Sequence, residues 1–325
     1  MKNRYIILFC FLATLRSYAQ KDSIVNPLEE VLVIADKNLK ENSIGYKKQI
    51  LNDSVIVNNP ESFTSLIRYN SPIFLREYGS GGTSSARFRG TSSSNTAVIW
   101  NGININSINN GQTGFNSLTV NLIDNIVVRS GGGSIKYGTG ATGGTIHLNT
   151  DLKFGNFVKN QFITSIGSFG TYRNLYRLAK STKKTAINVG VSHNISDNDY
   201  KWLGTQYKNT NGAYENLNIN LNLAFKLSEF SKLSVYFTKF NGERQFSGEL
   251  PNPRTAREKY QDLNHRTLSV FEYSKNEFSH ILKAAYLIQE YRYFADKSYD
   301  DYDFGKSVRS IYNYDFTFKI SSNSK

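Results

Sequence analysis

The sequence is poor in cysteine and in long apolar runs. Its single cysteine, Cys10, lies in an apolar N-terminal segment, so the rest of the chain has no disulfide framework, thiol nucleophile or cysteine-based metal site. Beyond that segment no apolar run approaches the roughly 20 residues of a transmembrane helix, and a membrane crossing would therefore require a β-barrel. The histidines show no metal-ligand spacing, so we expect no protein-bound metal and no cofactor. They are His147, His193, His265 and His280.

The sequence also lacks the usual catalytic and nucleotide-binding arrangements. It has no P-loop, and no paired carboxylates or Ser-His-Asp set are placed for catalysis, so the chain is predicted not to be an enzyme. Gly138, Gly140 and Gly143 spell G-x-G-x-x-G, but the following segment "TIHLNT" alternates as a strand where a dinucleotide site requires a helix. These glycines are predicted to serve tight turns, where a positive φ or a close backbone approach is needed.

Aromatic residues and positive charge are both plentiful. Aromatic residues make up 14% of the chain and are mostly tyrosine and phenylalanine, with only five prolines, a composition that favours strands. The formal net charge is +13, which can indicate a nucleic acid or an anionic membrane surface as partner. Because the charge is spread thinly along the chain, we expect no nucleic-acid partner.

The N-terminus "MKNRYIILFCFLATLRSYAQ" predicts export from the cytoplasm. Lys2 and Arg4 precede an apolar run over residues 5–15, and Ser17 and Ala19 supply small residues where a signal peptidase cleaves. This is the pattern of a secretory signal peptide, which is too short to span a membrane. The mature chain is therefore predicted to start after residue 19.

From about residue 155 the sequence alternates strictly between apolar and polar residues. In "NINLNLAFKL", Leu221 and Leu223 lie on one face and Asn220 and Asn222 on the other, which indicates a half-buried strand. Short connections alternate with long polar ones, as in outer-membrane barrels. A soluble β-sandwich is the alternative, because it also alternates on one face. Eight strands are predicted, near residues 156–167, 171–180, 184–195, 215–227, 232–240, 266–274, 278–292 and 310–320.

Four segments resemble, in order and spacing, the plug region of TonB-dependent outer-membrane receptors. "YGTGATGGTI" resembles the Y-G-S-G-A-I-G-G-V-I that ends the plug, and "FRGTSSSNTAVIWNGI" resembles an I-R-G…V-L-I-D-G segment with Asn101-Gly102 in place of D-G. "SLIRYNSPIFLREYGSGG" is similar to L-x-x-x-P-G-V-x-I-x-x-x-G, and "LEEVLVIA" to the TonB box E-E-V-V-V-T-A. Among the subfamilies the chain looks nearest to receptors of the cobalamin and siderophore type.

The resemblance implies an α+β plug domain followed by antiparallel transmembrane strands of an outer-membrane β-barrel. The implied order is a signal peptide over 1–19, an N-terminal extension with the TonB box over 20–45, the plug over 46–150 and the first part of the barrel over 151–325. Since such receptors have about 22 strands, about eight would form an incomplete barrel. The chain is therefore predicted to be a fragment, a split gene product or a frame-shifted copy.

The resemblance also implies energy-coupled import of a scarce organic nutrient, such as a corrinoid or an iron-siderophore, across the cell outer membrane. The implied partners are a TonB-type energy transducer in the periplasm, outer-membrane lipid, and a small organic or metal-chelate substrate, with a surface lipoprotein as a further candidate. A non-transporting outer-membrane barrel or adhesin and a non-functional truncated receptor remain the alternatives. The transducer would bind the β-prone TonB box by strand addition. The box comprises Glu29, Glu30, Val31, Leu32, Val33, Ile34 and Ala35.

Polar, glycine-rich segments at the plug apices are expected to contact the substrate, because uncharged donors and acceptors suit a polar organic ligand. Their candidate residues are Arg76, Tyr78, Ser80, Thr83, Ser84, Asn106, Asn109, Asn110 and Gln112. The barrel loops add Trp202, Tyr207, Arg244, Arg254 and Arg257. The structural glycines of the plug are predicted to be Gly90, Gly102, Gly138, Gly140, Gly143 and Gly144.

One segment departs from the family at the ionic latch between plug and barrel. The family's E-R-I-E-V-V-R-G becomes "DNIVVRSG" over residues 124–131, so that Val127 replaces the second glutamate and Ser130 replaces the arginine. Arg129 stands one place early and would face the other side of a strand. The latch is therefore expected to depend more on Arg87 and Arg89.

Overall fold

The computed structural model describes most of the chain from residue 48 onward, all of it within one compact unit, Ile44–Lys325. The described residues are 48–51, 53–57, 62–88, 90–131, 133–248 and 255–319. The predicted signal peptide, the predicted TonB box and two of the candidate arginines, Arg89 and Arg254, lie outside them.

The first part of the described chain forms a small α+β domain around a five-stranded sheet with the order β1-β6-β7-β4-β5. Strands β4 and β7 are parallel and the other neighbours are antiparallel, while β2 and β3 form a separate hairpin. The strands are β1 (Lys48–Leu51), β2 (Phe74–Glu77), β3 (Ser84–Arg87), β4 (Thr96–Trp100), β5 (Ile103–Asn104), β6 (Asn125–Ser130) and β7 (Gly144–Asn149). The helices are α1 (Asp53–Val57), α2 (Phe63–Asn70) and α3 (Ser134–Tyr137).

The core of this domain comes from strands that are apolar on both faces. Val98, Ile126 and Ile146, from three neighbouring strands, are fully buried. The amphipathic helix α2 covers the core with the buried side chains of Leu66 and Ile67. Each such side chain stabilises the fold by about 1.5–3 kcal/mol when it leaves water, so these short elements depend on their packing and not on intrinsic propensity.

Three of the six predicted structural glycines have left-handed backbone conformations. They are Gly90, Gly102 and Gly138, with φ of 78°, 90° and 83°. A side chain at a positive φ is strained, which explains glycine at these turns.

The other three glycines have no positive φ; close contacts favour glycine at Gly143 and Gly144 and are milder at Gly140. A Cβ atom on Gly144 would lie 2.6 Å from the carbonyl oxygen of Arg129, and one on Gly143 would lie 2.5 Å from Thr91 Oγ1. At Gly140 the corresponding contact, to a backbone oxygen, would be 3.2 Å. Strand β7 starts at Gly144 directly after these glycines, so the helix that a dinucleotide site requires does not follow.

The second part of the described chain is one eight-stranded antiparallel sheet in which each strand pairs with its sequence neighbour. Strands β8 and β15 are its two edges, so the described strands form an open sheet. The strands are β8 (Phe157–Gly167), β9 (Thr171–Ser181), β10 (Thr185–Ser196), β11 (Tyr214–Lys226), β12 (Ser231–Gln245), β13 (Lys259–Lys275), β14 (Phe278–Phe294) and β15 (Asp303–Phe318).

The eight predicted strands are confirmed, and their bounds differ mainly at one end of the sheet. The bounds of β8 to β11 lie within about one residue of the prediction. Strand β12 continues to Gln245, and β13 and β15 begin already at Lys259 and Asp303. These extensions are polar, so hydrophobic alternation does not show them, but backbone pairing with the neighbouring strands continues through them.

The two faces of the sheet differ in polarity, as the alternation predicts. On β11 the side chains of Asn218 and Asn222 are buried, whereas Leu221 and Phe225 on the opposite face are exposed. The polar face lies against the α+β domain, since Asn220 Nδ2 donates to the carbonyl oxygen of Leu122 at 3.4 Å. An apolar outer face and a polar inner face are typical of outer-membrane barrels.

Two features are absent from the described residues. No helix among them is long and apolar enough to cross a membrane. In the same part of the chain no group of three or more His, Cys, Asp or Glu side chains is placed to hold a metal ion.

Candidate functional site

The longer connections of the eight-stranded sheet all lie at one end, which we call the loop end. They join β10 to β11, β12 to β13 and β14 to β15. The turn between β2 and β3 lies at this end, since Asn198 Nδ2 donates to the carbonyl oxygen of Ser80 at 3.2 Å. Gly81 lies so close to the Tyr214 ring that a Cβ atom would be 2.3 Å from it. A ligand that arrives at the loop end would therefore meet both the sheet and the α+β domain.

The first predicted apex, over residues 76–85, is largely exposed at the loop end. The guanidinium of Arg76 lies 4.5 Å from the centre of the Tyr78 ring, which keeps 55% of its surface exposed. Ser80 and Thr83 are exposed as well. Ser84 is buried and its Oγ accepts a hydrogen bond from Phe115 N at 3.1 Å. Ser84 therefore holds the α+β domain together, and its predicted substrate contact is not supported by this geometry.

The second predicted apex divides in the same way. Asn106 is buried, and its Oδ1 accepts hydrogen bonds from Val98 N at 2.9 Å and Thr113 Oγ1 at 3.0 Å. Its Nδ2 donates to two backbone carbonyl oxygens at 2.9 and 2.7 Å, so all of its hydrogen-bonding capacity is used inside the domain. The predicted substrate contact of Asn106 is not supported. Asn109 and Asn110 are exposed and Gln112 is half-buried, so these three remain candidates.

A buried ion pair joins the α+β domain and the sheet, and it does not involve the predicted Arg87. Arg87 is exposed and forms no ion pair within the described part of the chain. Instead the Arg177 guanidinium, on β9, donates to Asp124, which stands just before β6. Both side chains are largely buried, and Arg177 Nε also donates to Asn188 Oδ1 at 3.1 Å. Asp124 occupies the position of the family's first glutamate, a signal that the sequence offered and the prediction missed.

A second contact joins the same two parts away from the loop end. Lys283 Nζ, on β14, donates to the carbonyl oxygen of Asn101 at 3.2 Å. A Cβ atom on Gly102 would lie 2.1 Å from this ammonium nitrogen, so glycine there allows the approach. Nearby the Trp100 ring meets the Tyr236 ring edge to face, with the ring centres 6.4 Å apart. The α+β domain is thus fixed to the sheet by a buried ion pair, a buried ammonium and an aromatic contact.

Aromatic rings and an arginine line the inner face of β12 to β14 near the loop end. Arg244 lies on the same face of β12 as Tyr236, and its guanidinium is 2.9 Å from Asp262 and 4.6 Å from the centre of the Tyr260 ring. Tyr260 stacks on Tyr291 with ring centres 5.7 Å apart. Stacked rings and an oriented guanidinium attract planar or charged groups. We call Arg244, Tyr260 and Tyr291 the aromatic wall.

The aromatic wall was only partly foreseen from the sequence. Arg244 was expected in a loop but lies in β12, because the strand extends further than its hydrophobic alternation. Three further loop candidates lie at the loop end, where Trp202 N donates to the carbonyl oxygen of Tyr207 at 3.0 Å and Arg257 pairs with Asp296 at 3.1 Å. The sequence did hold a signal for Tyr260. If the two-residue alternation of β13 is extended backwards through "KYQDL", Tyr260 falls on the inner face of the sheet.

His147 on β7 is a buried histidine that is uncharged at neutral pH. Its Nε2 shares a hydrogen bond with Thr145 Oγ1 at 2.9 Å. Its pKa is lowered to about 3, chiefly because burial disfavours the charged imidazolium and further because cations lie nearby. These cations are Arg129, Lys48, Lys136 and Lys283. The buried ring therefore serves packing and would oppose protonation.

We expect the α+β domain to lose stability in acid because of His147. A histidine with a lowered folded pKa contributes stability that is present above its unfolded pKa of about 6.5 and is lost as pH falls towards 3. The loss should reach about 2 kcal/mol at pH 5. Denaturant unfolding of the protein in detergent at pH 7.5 and pH 5 would measure it. Between pH 7.5 and pH 5 the His147→Gln variant should lose less stability than the unsubstituted protein. The His193→Gln variant should lose as much as the unsubstituted protein. Equal losses in all three proteins would contradict the prediction.

Comparison with known proteins assigns the α+β domain. Residues 43–145 match the family model described as the TonB-dependent receptor plug domain. No curated protein sequence matches the chain significantly.

Solved structures share the fold of most of the chain. The ferric enterobactin receptor PfeA of Pseudomonas aeruginosa has a TM-score of 0.62 at 14% identity, over 84% of this chain and 46% of its own. The ferric yersiniabactin uptake receptor FyuA of Yersinia pestis has a TM-score of 0.63 at 14% identity, over 76% and 41%. The copper transporter OprC has a TM-score of 0.56 at 15% identity, over 82% and 52%. The chain thus spans about half of the length of these structures or less.

These findings confirm the resemblance to TonB-dependent receptors for the three segments that overlap residues 43–145. The chain has a TonB-dependent receptor plug domain followed by an antiparallel sheet of eight described strands, whose fold matches part of the barrel in the solved receptors. Plug-domain receptors are outer-membrane proteins and transporters rather than enzymes.

Proposed function

We propose that the chain takes part in energy-coupled import of a scarce organic nutrient or metal chelate across the outer membrane. The observation that carries this proposal is the plug domain held against the polar inner face of the barrel strands by the Asp124–Arg177 pair. In a closed barrel a plug in this place would block free passage through the pore. Import past such a plug requires that the plug move, and hence a source of energy.

The energy would come from a TonB-type transducer in the periplasm. The segment with Glu29 to Ala35 is β-prone and can add as a strand to the edge of a partner's sheet through main-chain hydrogen bonds. Force on this segment would act first on the least stable elements of the plug, because locally weak elements open before the core. We further propose that residues 1–19 are the cleaved signal peptide and that 46–150 form the plug.

The geometry at the loop end supports an organic chelate as substrate. The aromatic wall offers stacked rings beside a guanidinium, and the plug apex offers Arg76 over Tyr78. Such surfaces suit a planar or aromatic ligand that also carries polar groups, of which a corrinoid and an iron-siderophore are examples. The solved structures with this fold include a ferric enterobactin receptor and a copper transporter.

Uptake by cells with and without the gene would test this function. We expect accumulation of one member of a panel of radiolabelled iron-siderophores and cobalamin, lost on deletion, restored by the gene and abolished by a protonophore. The Tyr260→Ala variant should weaken surface binding of that ligand about tenfold, since stacking of a planar ring on an aromatic side chain contributes about 1–3 kcal/mol. Tyr299→Ala, on an exposed loop residue, is the matched control.

Two outcomes would favour the alternatives. Surface binding without protonophore-sensitive accumulation would indicate a non-transporting barrel or adhesin. Absence of both binding and accumulation for every ligand would indicate a non-functional receptor. Either result would overturn the proposed import.

A further inference from the structure

A polar crevice lies between the plug and the first barrel strands at the loop end. It has a volume of about 330 Å³. Its polar lining residues are Ser62, Ser65, Arg68, Glu77, Ser80 and Arg173. The plug supplies all of these except Arg173, which belongs to β9. The crevice therefore exists only where the plug is seated in the wall.

Among the described residues that line the crevice, one arginine has no carboxylate to pair with. Glu77 accepts hydrogen bonds from Thr64 Oγ1 at 2.9 Å and from Arg68 Nη2 at 3.2 Å, so its carboxylate is already neutralised within the plug. Arg173 is half-buried and has no hydrogen bond or ion pair within the described residues. Among the described lining residues, two arginines and one glutamate give a net charge of +1.

The contrast with Arg177 shows how unusual Arg173 is. Both arginines lie on the inner face of β9. Arg173 comes two residues before the buried Leu175, and Arg177 comes two residues after it. Arg177 has a carboxylate partner in Asp124, and Arg173 has none among the described residues. A partly desolvated cation without a counter-charge costs free energy unless something pairs with it.

We propose that this crevice is a binding subsite for an oxyanion, a carboxylate or phosphate group, on the Arg173 guanidinium. The planar guanidinium matches the two oxygens of such a group with two parallel hydrogen bonds. The side-chain hydroxyls of Ser65 and Ser80 supply further donors around the same space, whereas the Ser62 hydroxyl already donates to Ser65 Oγ at 3.0 Å. The source of the oxyanion is either an acidic group of the imported ligand, which rests on the proposed function, or a free anion.

Arginine modification would test the subsite in the full protein in detergent. Phenylglyoxal labels arginines, and mass spectrometry reports the rate at each residue. We expect inorganic phosphate or acetate to slow the labelling of Arg173 at least about threefold while the exposed Arg292 reacts at an unchanged rate. Calorimetry with the same anions should show at least about tenfold weaker binding in Arg173→Gln and partial recovery in Arg173→Lys. Lys201→Gln, which removes a charge at the same end, should bind as the unmodified protein does.

The outcomes distinguish an acidic group of the imported ligand from a free anion as the occupant. They also distinguish failure of the subsite from failure of the proposed import. Weaker binding of the imported ligand in Arg173→Gln would support the subsite with an acidic group of that ligand as its occupant. Phosphate or acetate protection with unchanged ligand binding would support the subsite with a free anion as its occupant. Unchanged labelling of Arg173 under every anion would overturn the subsite, and protonophore-sensitive uptake in the same cells would show that the proposed import stands without it.

Discussion

Replacing Val33 by proline is expected to abolish energy-dependent uptake while the ligand still binds at the cell surface. Proline has no backbone N–H and fixes φ, so it removes a hydrogen bond to the partner's sheet edge and bends the added strand. Binding should persist because the aromatic wall and the plug apex lie in other parts of the sequence. The result would separate coupling from recognition.

The measurement compares protonophore-sensitive accumulation with binding at 4 °C in the same cells. Asn38→Pro is the matched control, since it places the same residue just beyond the proposed TonB box. Site-specific crosslinking of a cysteine at position 33 to the transducer should disappear in cells that lack the transducer. Normal uptake by Val33→Pro would refute the assignment of the box to Glu29 through Ala35.

Replacing Asp124 by alanine should loosen the plug from the barrel wall. The substitution leaves Arg177 with 12% of its side chain exposed and without its carboxylate partner. Removal of one partner of a buried pair costs about 3–5 kcal/mol, so we expect a loss near 3 kcal/mol. Asp124 Oδ2 also accepts a hydrogen bond from Asp151 N at 2.8 Å, so the link from plug to β8 is weakened as well.

Tryptophan fluorescence during denaturant unfolding would report this loss. In a Trp202→Phe background Trp100 is the remaining tryptophan, and it lies against Tyr236 of the wall, so its emission follows the seating of the plug. The control is Asp199→Ala, which breaks the exposed pair with Lys208 and should leave the midpoint unchanged.

A double substitution tests whether the charge of Arg177 causes the loss. Asp124→Ala with Arg177→Met should be less destabilising than Asp124→Ala alone, because no uncompensated charge remains. If the double variant is as unstable as the sum of the two single ones, the pair carries no coupling and the proposed anchor is wrong.

The sequence predicted the strands better than it predicted the residues of the candidate site. Alternation placed β8 to β11 almost to the residue because each has an apolar outer face. The same signal fails for the polar ends of β12 and β13, where pairing between neighbouring strands continues the ladder without apolar side chains. Arg244 and Tyr260 lie in those ends, so hydrophobic alternation does not predict the aromatic wall.

Residue roles inside the plug were the least predictable part. Asn106 and Asn109 look alike in a polar, glycine-rich segment, yet Asn106 is buried with its amide saturated and Asn109 is exposed. Nothing in the local sequence separates them, since the difference depends on which backbone groups of β4 lie within reach.

By itself the sequence determined the plug motifs, the eight strands of the described sheet and which face of that sheet is apolar. These features depend on local patterns: glycine where φ is positive or contacts are close, and period two where one face meets an apolar environment. Only the tertiary structure decided that Asp124 pairs with Arg177, that Arg173 is left without a partner among the described residues, and that Tyr260 stacks on Tyr291. Each of these relations joins residues distant in sequence or in different strands, and strand register and the seating of the plug bring them together.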